Sequence, residues 1–231
     1  MRKIVSLLLC LVTVMCLALS SCSGGSVLTY EKGKGYIDSK SGAVYVHAAT
    51  CYRPVAFGEE YGEMKIGDSI TYKVYAVKGM KTGEWLSTES RDILCKEGTK
   101  LPTLTEMKPH TLRIHTTEKS GLEIKRIGDS KTVGAIAAAY ENGERVTYPM
   151  TAAEKKYTVK FVGDELDGIC YELTYLEYAE DIEFNGESVG RFFLYDSSAK
   201  DFVPVGDEIN IALRGAESSE DTSTWVTGGA V

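Results

Sequence analysis

SITYKVYAV, Ser69 to Val77, puts Ile70, Tyr72, Val74 and Ala76 on one face of an extended chain. Successive side chains of a strand point to opposite faces, so this period of two marks a half-buried β-strand. The rhythm recurs on both sides of the stretch. TLRIHTT alternates Leu112, Ile114 and Thr116 against Arg113 and His115, and YTVKFV lines up Tyr157, Val159 and Phe161. Further strands are predicted over Gly42 to Ala48, Leu122 to Ile127, Ile169 to Tyr178, Arg191 to Asp196 and Ile209 to Leu213. Between them FNGES, YDSSAKD and GDELDG supply residues that bond their own backbone or tolerate positive φ.

One stretch departs from this period. In DSKTVGAIAAAYENGE, Val133, Ile136, Ala137 and Tyr140 fall at i, i+3, i+4 and i+7, a single apolar stripe on a helix. Asp129 or Ser130 is placed to cap its first free N–H groups, and Asn142-Gly143 offers a left-handed residue to end it. Ala137 to Ala139 would let it lie close on a sheet. PTLTEMKP also reads as helical, with Thr103 and Glu106 at capping-box spacing and Pro109 as the stop. The expected fold class is α+β, mainly antiparallel β-sheet with one principal helix, about 130–142, packed on a sheet face.

The chain ends read differently. Arg2 and Lys3 precede an almost wholly apolar run, Ile4 to Leu19. That is the order of a secretory signal, and it falls short of the about 20 apolar residues of a membrane span. Leu19-Ser20-Ser21-Cys22 resembles a lipobox, the signature of bacterial lipoproteins. The resemblance covers only the signal and Cys22. It implies cleavage before Cys22, diacylation of its thiol and an anchor in the lipid bilayer, each buried CH₂ contributing about 0.8 kcal/mol. The expected organisation is a signal peptide over 1–21, a lipidated Cys22 and tether over 22–34, a small mainly-β unit over 35–109, a β-rich α+β unit over 110–213 and a flexible tail over 214–231.

Composition bounds the partners. Hydrophobic residues make up 43% of the 231-residue chain and charged ones 26%, which fits a globular protein. Without Arg2 and Lys3 the mature chain has 24 basic residues against 33 acidic ones, near −9. Nucleic acid and anionic headgroups are therefore poor partners. Cys51, Cys95 and Cys170 remain after the anchor, far apart and in no C-x-x-C pair, so neither zinc nor a redox motif is indicated. Buried, unpaired thiols are the favoured reading, with one disulfide plus one free thiol as the competitor.

No catalytic motif stands out. His110 and His115 are an odd number of residues apart and would face opposite sides of a strand, while His47 with Cys51 is a pairing only the fold could make. Ser197 to Lys200 fits S-x-x-K but lies in a predicted turn, without the S-D-N or K-T-G that accompany the catalytic version. The acids of GDELDG and FGEEYGE do not match a calcium loop, so solvated turns explain them. Fourteen tyrosines and Trp85 could offer stacking faces to a sugar, glycan or peptide, though tyrosine is equally a strand residue. Trp85 is the candidate ligand contact, and no metal or cofactor is expected.

Beyond the lipobox the chain has the general look of small lipoproteins of anaerobic Gram-positive bacteria, without a named family whose residues carry over. The expected function is that of a surface lipoprotein on the outer face of the cell membrane, binding a partner protein or an envelope component without catalysis. An extracytoplasmic hydrolase with a dispersed site and an inhibitor or immunity-type protein are the alternatives.

Overall fold

The computed structural model describes residues 25–67, 69–117, 121–147, 149 and 151–220, with the backbone alone for 216–220. The expected signal peptide, Cys22 and residues 221–231 of the expected tail lie outside the described residues.

The first half of the chain forms β1 (Ser26–Glu31), β2 (Gly35–Asp38), β3 (Val44–His47), β4 (Tyr52–Pro54), β5 (Phe57–Ile66), β6 (Ile70–Val77), β7 (Trp85–Thr88) and β8 (Ile93–Lys96). All but β4 close into a barrel in the order β1-β2-β3-β8-β7-β6-β5. The tether reading needs correction here, because residues 26–31 are a barrel strand. The Gly- and Lys-rich run that resembles a linker is the hairpin turn after it, where Lys34 N–H donates to the Glu31 carbonyl and Gly33 takes φ +83. β1 pairs antiparallel with β2 and parallel with β5, and that parallel seam closes the barrel. At the seam a Cβ on Gly62 would overlap the Ser26 carbonyl oxygen, so only glycine lets the two backbones meet there.

Leu28, Tyr45, Met64, Val74, Leu86 and Leu94 fill the barrel. Among them lies a buried carboxylate, Asp38. It accepts hydrogen bonds from the hydroxyls of Ser26, Ser41 (2.5 Å) and Tyr61 (2.7 Å) and from Lys40 N–H (3.0 Å). Burial alone would raise its pKa, but the four donors together bring it down to about 2. This network ties β1, β2 and β5 together at the seam.

The second half forms β9 (Pro109–Thr116), β10 (Glu123–Ile127), helix α1 (Ser130–Asn142), β11 (Lys155–Gly163), β12 (Ile169–Glu177), the short hairpin β13 (Glu183–Phe184) and β14 (Glu187–Ser188), then β15 (Phe192–Asp196), β16 (Asp201–Pro204) and helix α2 (Glu208–Glu220). An antiparallel sheet runs β10-β9-β11-β12-β15-β16, and β4 from the first half pairs with the start of β12, Arg53 opposite Cys170. The sheet therefore takes a strand from before Pro109, across the expected boundary.

Asp129 caps α1, its carboxylate accepting from Thr132 N–H at 2.9 Å, and Val133, Ile136, Ala137 and Tyr140 are buried as the stripe predicts. They pack on Leu112, Ile114, Val159, Phe161 and Leu173. Each such large apolar side chain contributes roughly 1.5–3 kcal/mol of burial. The helix end differs from expectation. Gly143 has φ −69, and glycine is needed there because a Cβ would come within 2.5 Å of the Ala139 carbonyl oxygen and of Val203 Cγ1.

Two further expectations are corrected. PTLTEMKP is a single turn, although the capping box forms: Thr103 N–H donates to Glu106 Oε2 at 2.9 Å and Glu106 N–H to Thr103 Oγ1 at 3.3 Å. The strand expected at Ile209 to Leu213 is the first part of α2, which continues through the first residues assigned to the tail. In so short a run Ile209 and Leu213 satisfy both a strand and a helix. Ile211 decides, since it is 60% exposed while the other two join the core beneath α1. Asn210 is buried with them and donates to Glu177 Oε2 at 2.8 Å.

Candidate functional site

Both helices contribute to the apolar core on one face of the second sheet, and the alternation of the strands hands the polar side chains to the other. That outer face is covered at one end by Leu176, Phe193 and Phe202 packed with Ile182, Phe184 and Val189. At the other end the barrel approaches through β4. Between them lie charged residues in cross-strand register. Lys160 of β11 stands opposite Arg113 of β9 on one side and Glu172 of β12 on the other. Arg126 of β10 continues the row beyond Arg113 and is paired with Glu123 at 2.7 Å.

Like charges opposite one another destabilise a sheet. Among the described residues the one carboxylate paired with Lys160 is Glu172, and it is shared, 3.2 Å from Lys160 Nζ and 3.8 Å from Arg53 Nε. Arg53 in turn pairs with Asp92 at 2.7 Å. Arg113 has no carboxylate partner among the described residues, and its buried Nε has no acceptor. Leaving a buried donor unmet costs about 1–3 kcal/mol.

The barrel brings one more cation to this place. Arg91, at the tip of the β7–β8 hairpin, has φ +68, a conformation that is strained for any residue with a Cβ. Its Nη2 donates to the Pro54 carbonyl at 2.6 Å. Arg91, Arg113, Lys160 and His115 thus line one cavity of about 240 Å³, whose apolar wall is Val55, Val162 and Cys170. His115 Nδ1 is 2.8 Å from the Gly121 carbonyl oxygen, while its buried Nε2 has no partner. A smaller hollow of about 60 Å³ adjoins on the same face, with Thr158, Thr174, Tyr195, Ser197 and Ser198 in its lining and Arg53 and Glu172 at the divide.

The cavity contains a thiol but no activated nucleophile. Burial pushes the Cys170 thiol up to about 11, although Lys160, Arg91 and Arg113 pull the other way. Burial likewise carries Cys51 to about 11 and raises Cys95. All three thiols are free and buried, so the disulfide alternative does not hold in this structure. At neutral pH such groups stay protonated and poorly reactive.

Trp85 stands in need of correction as a ligand contact. It is only 5% exposed and packs with Cys51, Tyr52, Ile93, Cys95 and Ile169 where barrel meets sheet. Because Leu86 of the same strand points into the barrel, Trp85 points out of it and is buried by the sheet. His47 bonds Tyr36 Oη at 3.2 Å. Asp196 accepts N–H bonds from Ser198 at 2.8 Å and Ala199 at 3.2 Å, so the S-x-x-K stretch is a turn and opens no helix. Asp164 meets His110 Nε2 at 3.1 Å, and among the described residues no three His, Cys, Asp or Glu side chains gather as metal ligands.

The sequence reading missed Arg91, Arg113 and Lys160 as a group. A usable signal was present: Arg113 and Lys160 are both the polar alternates within strongly apolar strands. Comparison with protein-family models, with curated proteins and with solved structures finds no match to this chain.

Proposed function

We propose that this is a lipid-anchored binding protein of the outer face of the cell membrane, held through acylated Cys22, which retains a partner protein or an envelope component on the open face of its second sheet without catalysis. The observation that carries the reading is the convergence of Arg91, Arg113 and Lys160, from three strands or hairpins, on one open cavity beside an unpartnered buried Arg113 Nε. Like charges set opposite one another cost stability, and their retention here supports a binding surface. The test is retention from envelope and culture medium of the native organism on soluble protein starting at Ser23, run beside the Arg113→Glu, Lys160→Glu variant. Saturable retention that the double variant loses supports the reading. Equal retention by both proteins rejects the open face as the site.

A hydrolase is the second reading, favoured by one arrangement. His110 Nε2 faces Asp164 Oδ1 at 3.1 Å while Nδ1 lies 2.9 Å from Thr111 Oγ1, the order of acid, base and hydroxyl used in acyl transfer. His110 and Asp164 line a cavity of about 310 Å³ beside α1, but Thr111 is not part of its lining. A substrate seated there would not meet the hydroxyl. An inhibitor or immunity-type role is a variant of the binding reading, in which the acidic surface as a whole would attract a basic partner.

A further inference from the structure

We infer that the cavity formed by Arg91, Arg113, Lys160 and His115 is a subsite for an acidic sugar, one that carries a carboxylate, sulfate or phosphate next to free hydroxyls. The inference rests on the binding reading above and names its ligand class.

Two unpartnered atoms set opposite requirements. Arg113 Nε is a buried N–H and needs an acceptor. His115 Nδ1 lies 2.8 Å from a carbonyl oxygen, which only accepts, so the fold favours the tautomer with its N–H at Nδ1. Its buried Nε2 is then a lone pair and needs a donor. A bare carboxylate or sulfate answers the first requirement and leaves the second unmet, whereas inorganic phosphate keeps an O–H at neutral pH and has no sugar ring to rest on the apolar wall. A sugar acid sets its oxyanion among the cavity-lining Arg113, Lys160 and Arg91 and a hydroxyl beside the His115 ring.

The surroundings agree with that chemistry. Val55 and Val162 offer an apolar wall to the C–H face of a sugar ring. The cavity, about 240 Å³, lies below the range for drug-sized ligands and suits one ring or part of one. Beyond Arg53 and Glu172 the second hollow, with Thr158, Thr174 and Ser198 in its lining, continues the surface with hydroxyl groups able to meet a neighbouring polyhydroxylated unit. The mature chain is near −9 overall, so a densely charged polyanion is repelled by the rest of the molecule while a sparsely charged saccharide is not. An aspartate or glutamate side chain from a protein partner would supply the acid without the hydroxyl.

The test is calorimetric titration of the soluble protein starting at Ser23 with glucuronate, glucose 6-sulfate and glucose 6-phosphate, beside glucose, acetate, sulfate and phosphate. The expected result is that at least one acidic sugar binds saturably and at least tenfold tighter than both glucose and its bare anion. Arg113→Gln should weaken that binding tenfold or more, and His115→Leu should reduce it to the level of the bare anion. Lys160→Met serves as a second charge variant should Arg113→Gln fail to fold, as judged by near-UV circular dichroism. If no acidic sugar exceeds its bare anion, or if the folded charge variants bind as wild type does, the inference is overturned. A protein partner retained on the open face in that event would leave the binding reading standing and replace the sugar by a side-chain carboxylate.

Discussion

Arg113 and Lys160 stand directly opposite each other on neighbouring antiparallel strands, two cations in register with one shared acid, Glu172, on the far side of Lys160. Strand alternation keeps both off the helix-covered core, and nothing in the sheet's own packing requires that they be adjacent.

It follows that Arg113→Gln should not destabilise the protein. The change removes a like-charge pair and an unmet buried N–H, so unfolding free energy should stay level or rise by up to about 1 kcal/mol. Urea unfolding checks this, and a loss beyond about 1 kcal/mol would mean that the guanidinium holds the sheet together instead.

Asp38 should make the barrel acid-sensitive at an unusually low pH. Its folded pKa, about 2, lies below the ordinary 3.8, so its contribution is complete above 3.8 and disappears as pH falls through 2. The shift corresponds to about 2 kcal/mol. Comparing urea midpoints between pH 5 and pH 2, wild type should lose this increment while Asp38→Asn, already less stable at pH 5, should show a shallower fall over the same window. Parallel curves would place the acid sensitivity elsewhere.

Trp85→Ala should cost about 3–5 kcal/mol, the range for emptying a large buried aromatic site. A ligand-contact tryptophan at the surface would give a change within roughly 0.5 kcal/mol. Denaturant unfolding with a second probe of the barrel, such as tyrosine emission, separates the two outcomes.

Cys22→Ala tests the anchor, which lies outside the described residues. The variant should accumulate with its signal uncut by the lipoprotein route and without labelled acyl chains. A membrane-bound, acyl-labelled product would show that another residue is the attachment site.

Much of the second sheet was legible in advance. The strands holding Leu112 and Ile114, or Val159 and Phe161, carry their period in neighbouring residues, and the stripe Val133, Ile136, Ala137, Tyr140 needs only one helix to be read. The errors fell where two periods share positions, as at Ile209 and Leu213, or where glycine and lysine make a tight hairpin turn that resembles a linker, as after Glu31. Trp85 was misplaced because a four-residue strand buried on both faces has no alternation to reveal its surroundings.

By itself, then, the sequence determined what local chemistry can encode: most of the segments that extend, the helix over Ser130–Asn142 and many of the turns. Only the tertiary structure decided which residues meet. The parallel closure of β1 on β5 joins residues far apart in the chain, and Arg91 reaches Arg113 and Lys160 because a barrel hairpin docks on a separate sheet through β4. No period in a sequence carries such long-range pairings. They are set by how two layers bury their apolar faces together, and the cavity is what that docking leaves open.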